Sequence, residues 1–402
     1  MNTQDTRTLR VALNAHLVSF SQTYRNAGVS RFTYVLLEGL MHDDHDQRYI
    51  AFIGQREAAA AAASSLHDSE RIQLVPAMWP TDRPLQRIFW EQTVLPAELR
   101  RLGVDVFHSP VNVLPEYVPC ASVVTVHDLA FMRYPQYFRP ARRNYQRVFT
   151  ARSVRRATVT VAVSESTKRD LIGYFHVPED RVRVIYNAID PIFRPVDDPT
   201  VLAEFRARHG LPQRYLLYLG TLEPRKNLVG LVEAYARLRS QDAETPPLVL
   251  AGAKGWYYQP LFERINSLGM QQHITFAGYV SREEQPLWYA GAELFVYPSL
   301  YEGFGLPVAE ALACGTPTIT SNVSSMPEAG GAIAMLVDPN DWDALAHTMR
   351  VALADPHARA RALDEGPRWA SRFSSSYMAA AYADVYCEAA ERARAEPGKR
   401  GK

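Results

Sequence analysis

Several short segments of this chain carry residue types whose spacing could do chemistry. The longest is Pro298-Ser299-Leu300-Tyr301-Glu302-Gly303-Phe304-Gly305-Leu306-Pro307-Val308-Ala309-Glu310, which leaves an apolar run and enters a helical pattern. Gly303 and Gly305 let the backbone approach a ligand closely. The free N–H groups at the start of a helix suit an anion such as a phosphate, and Pro307 fits a first turn. Glu302 stands on the loop and Glu310 inside the helix, so the two carboxylates could reach opposite ends of one elongated ligand. A plain strand-to-helix turn would carry the same punctuation.

Leu219-Gly220-Thr221-Leu222-Glu223-Pro224-Arg225-Lys226-Asn227 also leaves a strand pattern and enters a helical one, with Asn227 at the N-cap position. Arg225 and Lys226 are neighbouring cations at a helix start, where the helix dipole disfavours positive charge. The placement invites a compensating anion, and a diphosphate would supply one; a solvated surface pair is the other reading. Val123-Val124-Thr125-Val126-His127-Asp128-Leu129 puts an imidazole at the end of a buried strand, either as a ligand-facing group or as a hydrogen-bonded structural residue. In Asn26-Ala27-Gly28-Val29-Ser30-Arg31-Phe32-Thr33, Gly28 could bring backbone N–H groups against a phosphate. Helix capping by Asn26 or Ser30 accounts for that segment equally well.

The elements that must position these residues alternate almost throughout. Strands are expected at Leu9–Leu13, Tyr49–Ile53, Ile72–Val75, Val104–Phe107, Ser122–Val126, Thr158–Val163 and Val182–Ile185, with helical stretches such as Ser30–Leu40, Leu85–Leu102, Arg142–Arg156 and Glu165–Phe175 between them. This is the rhythm of a mostly parallel sheet covered on both faces. Asp190 to Pro199, with three prolines in ten residues, reads as a linker. A second alternation follows, with strands at Tyr215–Leu219, Leu248–Ala251, Ile274–Phe276, Leu294–Tyr297, Thr316–Thr320 and Met335–Val337. Its helices are expected at Leu228–Leu238, Leu261–Leu268, Glu283–Tyr289, Pro307–Cys314 and Trp342–Leu353, and Ser374–Arg394 reads as a last amphipathic helix. The fold class is therefore α/β, two Rossmann-like doubly wound domains facing across a cleft. Ligands of such sheets bind beyond the carboxyl ends of the strands, where all the segments above lie.

Composition narrows the function classes. A chain of 402 residues with 47% hydrophobic and 22% charged residues is ordinary globular material of about two domains. Its 44 Lys and Arg against 43 Asp and Glu give a net charge of +1, so no whole-chain electrostatic case for nucleic acid exists. Cys120, Cys314 and Cys387 lie far apart, which excludes a disulfide framework and fits a reducing cytosol. No signal peptide is visible in Met1 to Arg10, and no apolar run approaches the roughly 18–20 residues of a bilayer span. The alanine run Ala58–Ala63 reads as an exposed helix, and Pro397 to Lys402 as a frayed basic end.

Arg225-Lys226-Asn227 and Glu302-Gly303-Phe304-Gly305-Leu306 with Glu310 resemble the retaining glycosyltransferases of the GT-B fold, sequence family four, which includes many mannosyltransferases. His127-Asp128, Val163-Ser164-Glu165-Ser166 and Val184-Ile185-Tyr186-Asn187 agree, and the resemblance covers nearly the whole chain. It implies an acceptor-side domain over 1–190, a nucleotide-sugar domain over 191–373, and a helix over 374–402 that returns to the first domain. It implies that Arg225 and Lys226 bind the donor diphosphate and stabilise the leaving group. Glu302 would contact the transferred sugar, and Glu310 the ribose. Gly303, Phe304, Gly305 and Leu306, with Gly220 and Thr221, would line the donor. Gly28 would cap the diphosphate, Tyr279 and Val280 would lie beside the base, and His127 would reach the sugar near the reacting centre. Ala329-Gly330-Gly331-Ala332 departs from the family, which often has a hydrophobic residue before a single glycine after Pro327-Glu328.

The resemblance implies transfer of a hexose, mannose from GDP-mannose being the leading choice, to a hydroxyl of a glycan or lipid-linked acceptor in polysaccharide biosynthesis. Neither a cofactor nor a metal is expected, because Arg225 and Lys226 can neutralise a diphosphate. Asp44-x-Asp46 and Asp341-x-Asp343 look superficially like metal-binding DxD pairs, but a polar turn and a helix start explain them. Arg139, Arg142, Arg143, Arg147, Arg152, Arg155 and Arg156, interleaved with Tyr145, Val148, Phe149 and Val154, form either a solvated helix face or a basic amphipathic surface for an anionic membrane. The expected location is the cytoplasm, with peripheral attachment to the inner face of the membrane if that surface is used. Trp90-Glu91-Gln92 reads as core packing or as part of an acceptor site. A sugar-nucleotide epimerase, a sugar phosphorylase and a catalytically silent sugar-nucleotide-binding subunit are the alternatives.

Overall fold

A computed structural model of the chain describes residues 8–19, 28–54, 66, 69–77, 83–196 and 198–395. The alanine run Ala58–Ala63, Asn26 as a cap and the basic end Pro397 to Lys402 lie outside the described residues. The chain divides into two compact units: Met1–Ala188 together with Ser375–Lys402, and Ile189–Ser374.

Among the described residues the first unit holds seven parallel strands: β1 (Leu9–Asn14), β2 (Gln47–Ile53), β3 (Ile72–Pro76), β4 (Val106–Ser109), β5 (Ala121–Val126), β6 (Val159–Ala162) and β7 (Val182–Val184), in the order β3-β2-β1-β4-β5-β6-β7. Val11 sits opposite Tyr49 on one side and Val106 on the other, and every residue of β5 is buried. Strands covered on both faces read as continuous apolar runs rather than alternating ones. That is why Ser122–Val126 was legible as a strand. The described helices of this unit are α1 (Val29–Met41), α2 (Pro84–Arg101), α3 (Ala130–Arg133), α4 (Pro140–Arg156) and α5 (Glu165–Phe175), joined at the end of the chain by the helix Ser375–Ala395. The last helix packs against α1 so closely that a Cβ on Gly39 would lie 2.8 Å from Ala379 Cβ and from Ser375 O. A buried polar chain also fastens it. His108 Nδ1 is 2.8 Å from Tyr386 OH, His108 Nε2 is 2.8 Å from Thr125 Oγ1, and Thr125 Oγ1 is 2.8 Å from Tyr382 OH.

The second unit holds six parallel strands: β8 (Leu216–Leu219), β9 (Leu248–Ala251), β10 (Ile274–Gly278), β11 (Leu294–Tyr297), β12 (Thr318–Ser321) and β13 (Met335–Val337), in the order β10-β9-β8-β11-β12-β13. Its helices are α6 (Pro199–His209), α7 (Leu228–Gln241), α8 (Gln259–Ser267), α9 (Gln285–Gly291), α10 (Leu306–Ala313), α11 (Met326–Gly330), α12 (Trp342–Ala354) and α13 (Ala358–Ala370); the helix over 375–395 is α14. Two parallel-sheet α/β units are thus what the alternation of patterns foretold.

Four helices were not anticipated: α3, α6, α11 and α13. At α6 the last of the three prolines that suggest a linker instead starts a helix. Pro199 occupies its first turn and Asp198 Oδ1 accepts from Thr200 N at 2.8 Å, while Phe205 is buried beneath. The proline-rich stretch before it is no loose tether either. Asp190 and Phe193 are buried, Arg282 Nε lies 3.4 Å from Asp190 Oδ2, and the Arg282 guanidinium sits 4.9 Å from the Phe193 ring centre. In α13 the Gly366-Pro367 pair looks like a breaker, but a Cβ at 366 would stand 2.3 Å from Leu312 O of α10. Glycine is there to let two helices touch. Among the described residues no helix is long and apolar enough to cross a membrane.

Candidate active site

In the second sheet the strand order reverses between β8 and β11, which are hydrogen-bonded neighbours. Loops leaving the carboxyl ends of two such strands part to opposite faces and open a ligand position. The β8 loop delivers Arg225 and Lys226, and the β11 loop delivers Glu302. Close passage of the β8 and β9 ends is enforced by glycine. Gly252 has φ +138°, and a Cβ on it would stand 2.0 Å from Gly220 O.

Pro224–Lys226 forms a single tight turn, and Asn227 ends it with φ +58° before α7 begins. Asn227 occupies the N-cap position, yet its side chain makes no cap. Its Nδ2 donates to Pro339 O at 2.6 Å, while its Oδ1 lies over the first turn, 2.6 Å from where a Cβ on Gly230 would stand.

Arg225 and Lys226 converge on one carboxylate. Arg225 Nη1 donates to Glu302 Oε2 at 2.9 Å and to Tyr301 O at 2.8 Å, while Nη2 donates to Glu223 Oε1 at 2.8 Å. Lys226 Nζ donates to Glu302 Oε1 and, at 2.7 Å, to Tyr297 OH. Tyr297 OH in turn donates to Glu302 Oε1 at 3.1 Å, and Ser299 Oγ lies 2.8 Å from the same oxygen. Glu223 and Glu302 are buried, so two cations and two carboxylates form a nearly closed neutral group. The anion that the paired cations called for is, in this state, a side chain of the protein.

Burial on its own would raise the Glu302 pKa, but the charges of Arg225 and then Lys226 overcome it and hold it down to about 2. For Glu223 burial prevails over the same two cations and pushes its pKa up. Burial also keeps the Tyr297 and Tyr218 phenols far above their usual range, so both rings, stacked 5.6 Å apart, stay protonated donors.

The loop after Glu302 is pinned by the end of β12. Glu302 N donates to Ser324 Oγ at 3.1 Å, and the hydroxyls of Ser324 and Ser325 donate to Glu302 O at 2.7 and 2.9 Å. Gly305 then caps α10 with φ +102°, where a Cβ would lie 2.3 Å from Met326 Cε. Phe304 packs edge-on to Phe373 with centroids 4.9 Å apart, so its ring serves the core. The unusual double glycine has a packing cause. Gly331 has φ +55°, a Cβ there would stand 2.3 Å from Trp369 Cζ2, and Trp369 Nε1 donates to Ala329 O at 2.8 Å.

Glu310 belongs to a different group from Glu302. It is buried and accepts from Tyr289 OH at 3.1 Å, and Arg282 Nη1 stands 3.5 Å away. Burial raises its pKa, with Arg282 pulling the other way. Val280 is buried, whereas Tyr279, after the turn at Gly278 (φ +74°), is 60% exposed. Thr221 is exposed beside Gly220.

The remaining expected site residues lie in the first unit. His127 follows β5 and is partly exposed; its Nε2 is 2.8 Å from Pro110 O and its ring meets Phe32 edge-on at 4.7 Å. Burial lowers its pKa. Asp128 is not its partner: Asp128 Oδ1 accepts from Ala130 N at 3.0 Å. Gly28 has φ +59° and is the N-cap residue of α1, with nothing within 4 Å of an added Cβ. Ser30 does not cap, since its Oγ accepts from Ser19 N at 2.9 Å. Three of the four aspartates in the two pairs have protein partners. Asp341 caps α12 through Ala344 N at 2.8 Å, Asp343 pairs with Arg237 Nε at 2.9 Å, and Asp46 accepts from Thr8 Oγ1 at 3.2 Å. Trp90 is core, 3% exposed and 5.6 Å from the Phe52 ring.

Sequence reasoning overlooked Glu223, Tyr297, Ser299 and Ser324 as members of the Glu302 group. Glu223 and Ser299 lie within quoted segments, Tyr297 beside one and Ser324 outside them, and nothing in their spacing says which carboxylate or cation each meets.

The model of the glycosyl transferases group 1 matches residues 203–369, and that of glycosyltransferase family 4 matches residues 26–193. The chain is 35% identical over 269 residues to O-antigen chain mannosyltransferase B of Escherichia coli, covering 67% of this chain and 70% of that protein. It is 31% identical over 255 residues to the serotype-specific mannosyltransferase WbdA of Escherichia coli, covering 61% of this chain but only 31% of that longer protein. Among solved structures, Anabaena Alr3699/HepE in complex with UDP and glucose superposes with a TM-score of 0.68 at 18% identity, covering 94% of this chain and 99% of that one.

Proposed function

Because this chain belongs to the family-four glycosyltransferases of the GT-B fold, we propose that it transfers mannose from GDP-mannose, with retention and without a metal ion, to a hydroxyl of a glycan or lipid-linked acceptor. The choice of sugar is supported by relatives named as O-antigen and serotype-specific mannosyltransferases. A nucleoside diphosphate donor is supported by the UDP complex of a fold neighbour.

One observation carries the chemistry: Arg225 and Lys226 meet on Glu302 at the switch point of the second sheet. A diphosphate offers these cations more negative charge than one carboxylate and competes for them. Glu302, released, turns its oxygens to the hydroxyls of the sugar. As the glycosidic bond breaks, charge grows on the departing diphosphate, and the guanidinium and ammonium groups stabilise it where it grows. Two fixed positive charges do the work that a divalent cation does in other transferases. In this reading Glu310 holds the ribose, Gly220, Thr221 and the backbone of Gly303 to Leu306 line the donor, and Tyr279 and Val280 lie beside the base. Gly28 contributes backbone N–H groups, and His127 contacts the sugar.

The exposed face of α4, with Arg142 and Arg147 beside Tyr145 and Val148, supports peripheral attachment of the protein to an anionic leaflet that carries a lipid-linked acceptor. A thermal-shift panel of GDP, UDP, ADP and dTDP tests the donor reading, since a ligand that binds only the folded chain raises its melting temperature. GDP should give the largest shift. A larger shift with UDP would replace GDP-mannose by a uridine donor, and no shift with any of the four would remove the donor site.

A further inference from the structure

The first sheet has its own switch point, between β1 and β4, and the chain leaving β1 carries a polar relay that the donor chemistry does not use. Asn14 is the last residue of β1. Its Nδ2 donates to Glu91 Oε1 of α2 at 2.9 Å, and its Oδ1 lies 2.9 Å from His16 Nδ1. Arg87 Nε stands 3.7 Å from the same Glu91 oxygen. The relay has a direction. A carboxylate only accepts, so the amide nitrogen of Asn14 faces Glu91 and the amide oxygen faces His16. His16 Nδ1 must then carry the proton, and Nε2 is left with a lone pair.

His16 is only 8% exposed, and Nε2 has no hydrogen-bond partner among the described residues. Trp90 packs edge-on to the ring at 4.4 Å and holds it in place. Burial, helped by the charge of Arg87, brings the His16 pKa down to about 3, so the ring stays neutral and the covered Nε2 keeps its lone pair. A buried acceptor costs free energy unless something donates to it, and three side chains are arranged so that this nitrogen accepts. The complementary group is a neutral O–H donor. An anion would be repelled by the lone pair, and a cation by Arg87.

We infer that His16 Nε2 receives the hydrogen bond of an acceptor-sugar hydroxyl, making the Glu91–Asn14–His16 relay an acceptor subsite carried by the first unit. The inference rests on the glycosyltransferase reading above. His16 would touch substrate, while Asn14 and Glu91 would act through it as positioning residues.

The full chain is assayed with GDP-mannose as donor and a panel of methyl glycosides, methyl α-mannoside first, as acceptor probes. Nucleoside diphosphate release without acceptor, acceptor KM and melting temperature are read for the unaltered protein, His16→Phe and His16→Gln. His16→Phe keeps a flat ring and removes the lone pair; its acceptor KM should rise by about tenfold, the scale of one lost hydrogen bond, with acceptor-independent release unchanged. In His16→Gln the amide oxygen can accept, and the KM should recover in part. An unchanged acceptor KM in both variants overturns the subsite. Equal loss of acceptor-dependent and acceptor-independent turnover with a lowered melting temperature overturns it too, and makes His16 a core residue. If the unaltered protein cleaves the donor but no methyl glycoside changes the rate or receives the sugar, a monosaccharide subsite is excluded. Failure of the unaltered protein to cleave any sugar nucleotide would instead sink the glycosyltransferase reading, and the subsite with it.

Discussion

Arg225 Nη1 donates to Glu302 Oε2 across 2.9 Å, joining the turn after β8 to the loop after β11 although 77 residues separate them. The pair ties cation and carboxylate into one buried group before any ligand arrives. Under the proposed donor reading, a diphosphate would have to displace this salt bridge to reach the cations, and the displaced Glu302 would then meet the sugar.

Removing one of the cations tests this directly. Lys226→Ala should lower kcat by on the order of a hundredfold, the scale of losing one electrostatic stabiliser of a leaving group. The thermal shift with the preferred nucleoside diphosphate should shrink in the same variant. Unchanged kinetics would take Lys226 out of the mechanism.

Glu302 should leave a signature in acid. Its folded pKa of about 2 lies below the ordinary 4.5 of a glutamate, so its contribution to stability is present above pH 4.5 and is lost as pH falls toward 2. Urea unfolding of the unaltered protein should weaken through that window, and Glu302→Gln should lack this component. Equal slopes in the two proteins would mean that the ion pairs add nothing to folding.

His108 should act at higher pH. Its folded pKa is held down to about 3 by burial, against the ordinary 6.5 of a histidine, so the unfolded chain takes up a proton that the folded chain refuses. Its part in stability is therefore lost as pH falls from 6.5 toward 3. His108→Phe should be less stable at neutral pH, because Tyr386 and Thr125 lose a partner. It should also lose less on acidification, as followed by denaturant unfolding between those limits. A steeper acid loss in the variant would contradict a neutral His108.

Gly252→Ala should destabilise the second unit by about 2 kcal/mol or more, since the new Cβ meets Gly220 O at 2.0 Å and the φ of +138° disfavours a side chain. Thermal unfolding reads this. A neutral result would mean that the β8 and β9 ends can part freely.

If α4 meets a membrane, charge reversal at Arg142 and Arg147 should abolish co-sedimentation with vesicles containing anionic lipid at low salt, with folding unchanged. Arg152 and Arg156 are a different case. Both pair with Glu116, and Arg156 Nη2 also donates to Pro115 O at 2.9 Å, so replacing them should cost stability. No binding by the unaltered protein would leave α4 a solvated face.

Much of the fold was legible because its determinants are local. Buried parallel strands must be continuous apolar runs, and amphipathic helices must repeat near every 3.6 residues. Strands from Leu9 to Val337 could be placed on that basis to within a few residues. Breakers were the weak point. Pro199 starts a helix instead of ending one, and Gly366 serves helix contact, because the purpose of a proline or glycine depends on what lies across from it.

By itself the sequence determined two parallel α/β sheets and put Arg225, Lys226, Glu302 and His127 just beyond strand ends. Such placement follows from neighbouring residues along the chain. Only the tertiary structure decided that Glu302, and not Glu310, neutralises the two cations, that Asn227 donates to Pro339 O, and that Asn14 joins Glu91 to His16. Those partnerships depend on which strands lie side by side and on which face each loop crosses. Strand order is a property of the whole sheet, and no residue spacing encodes it.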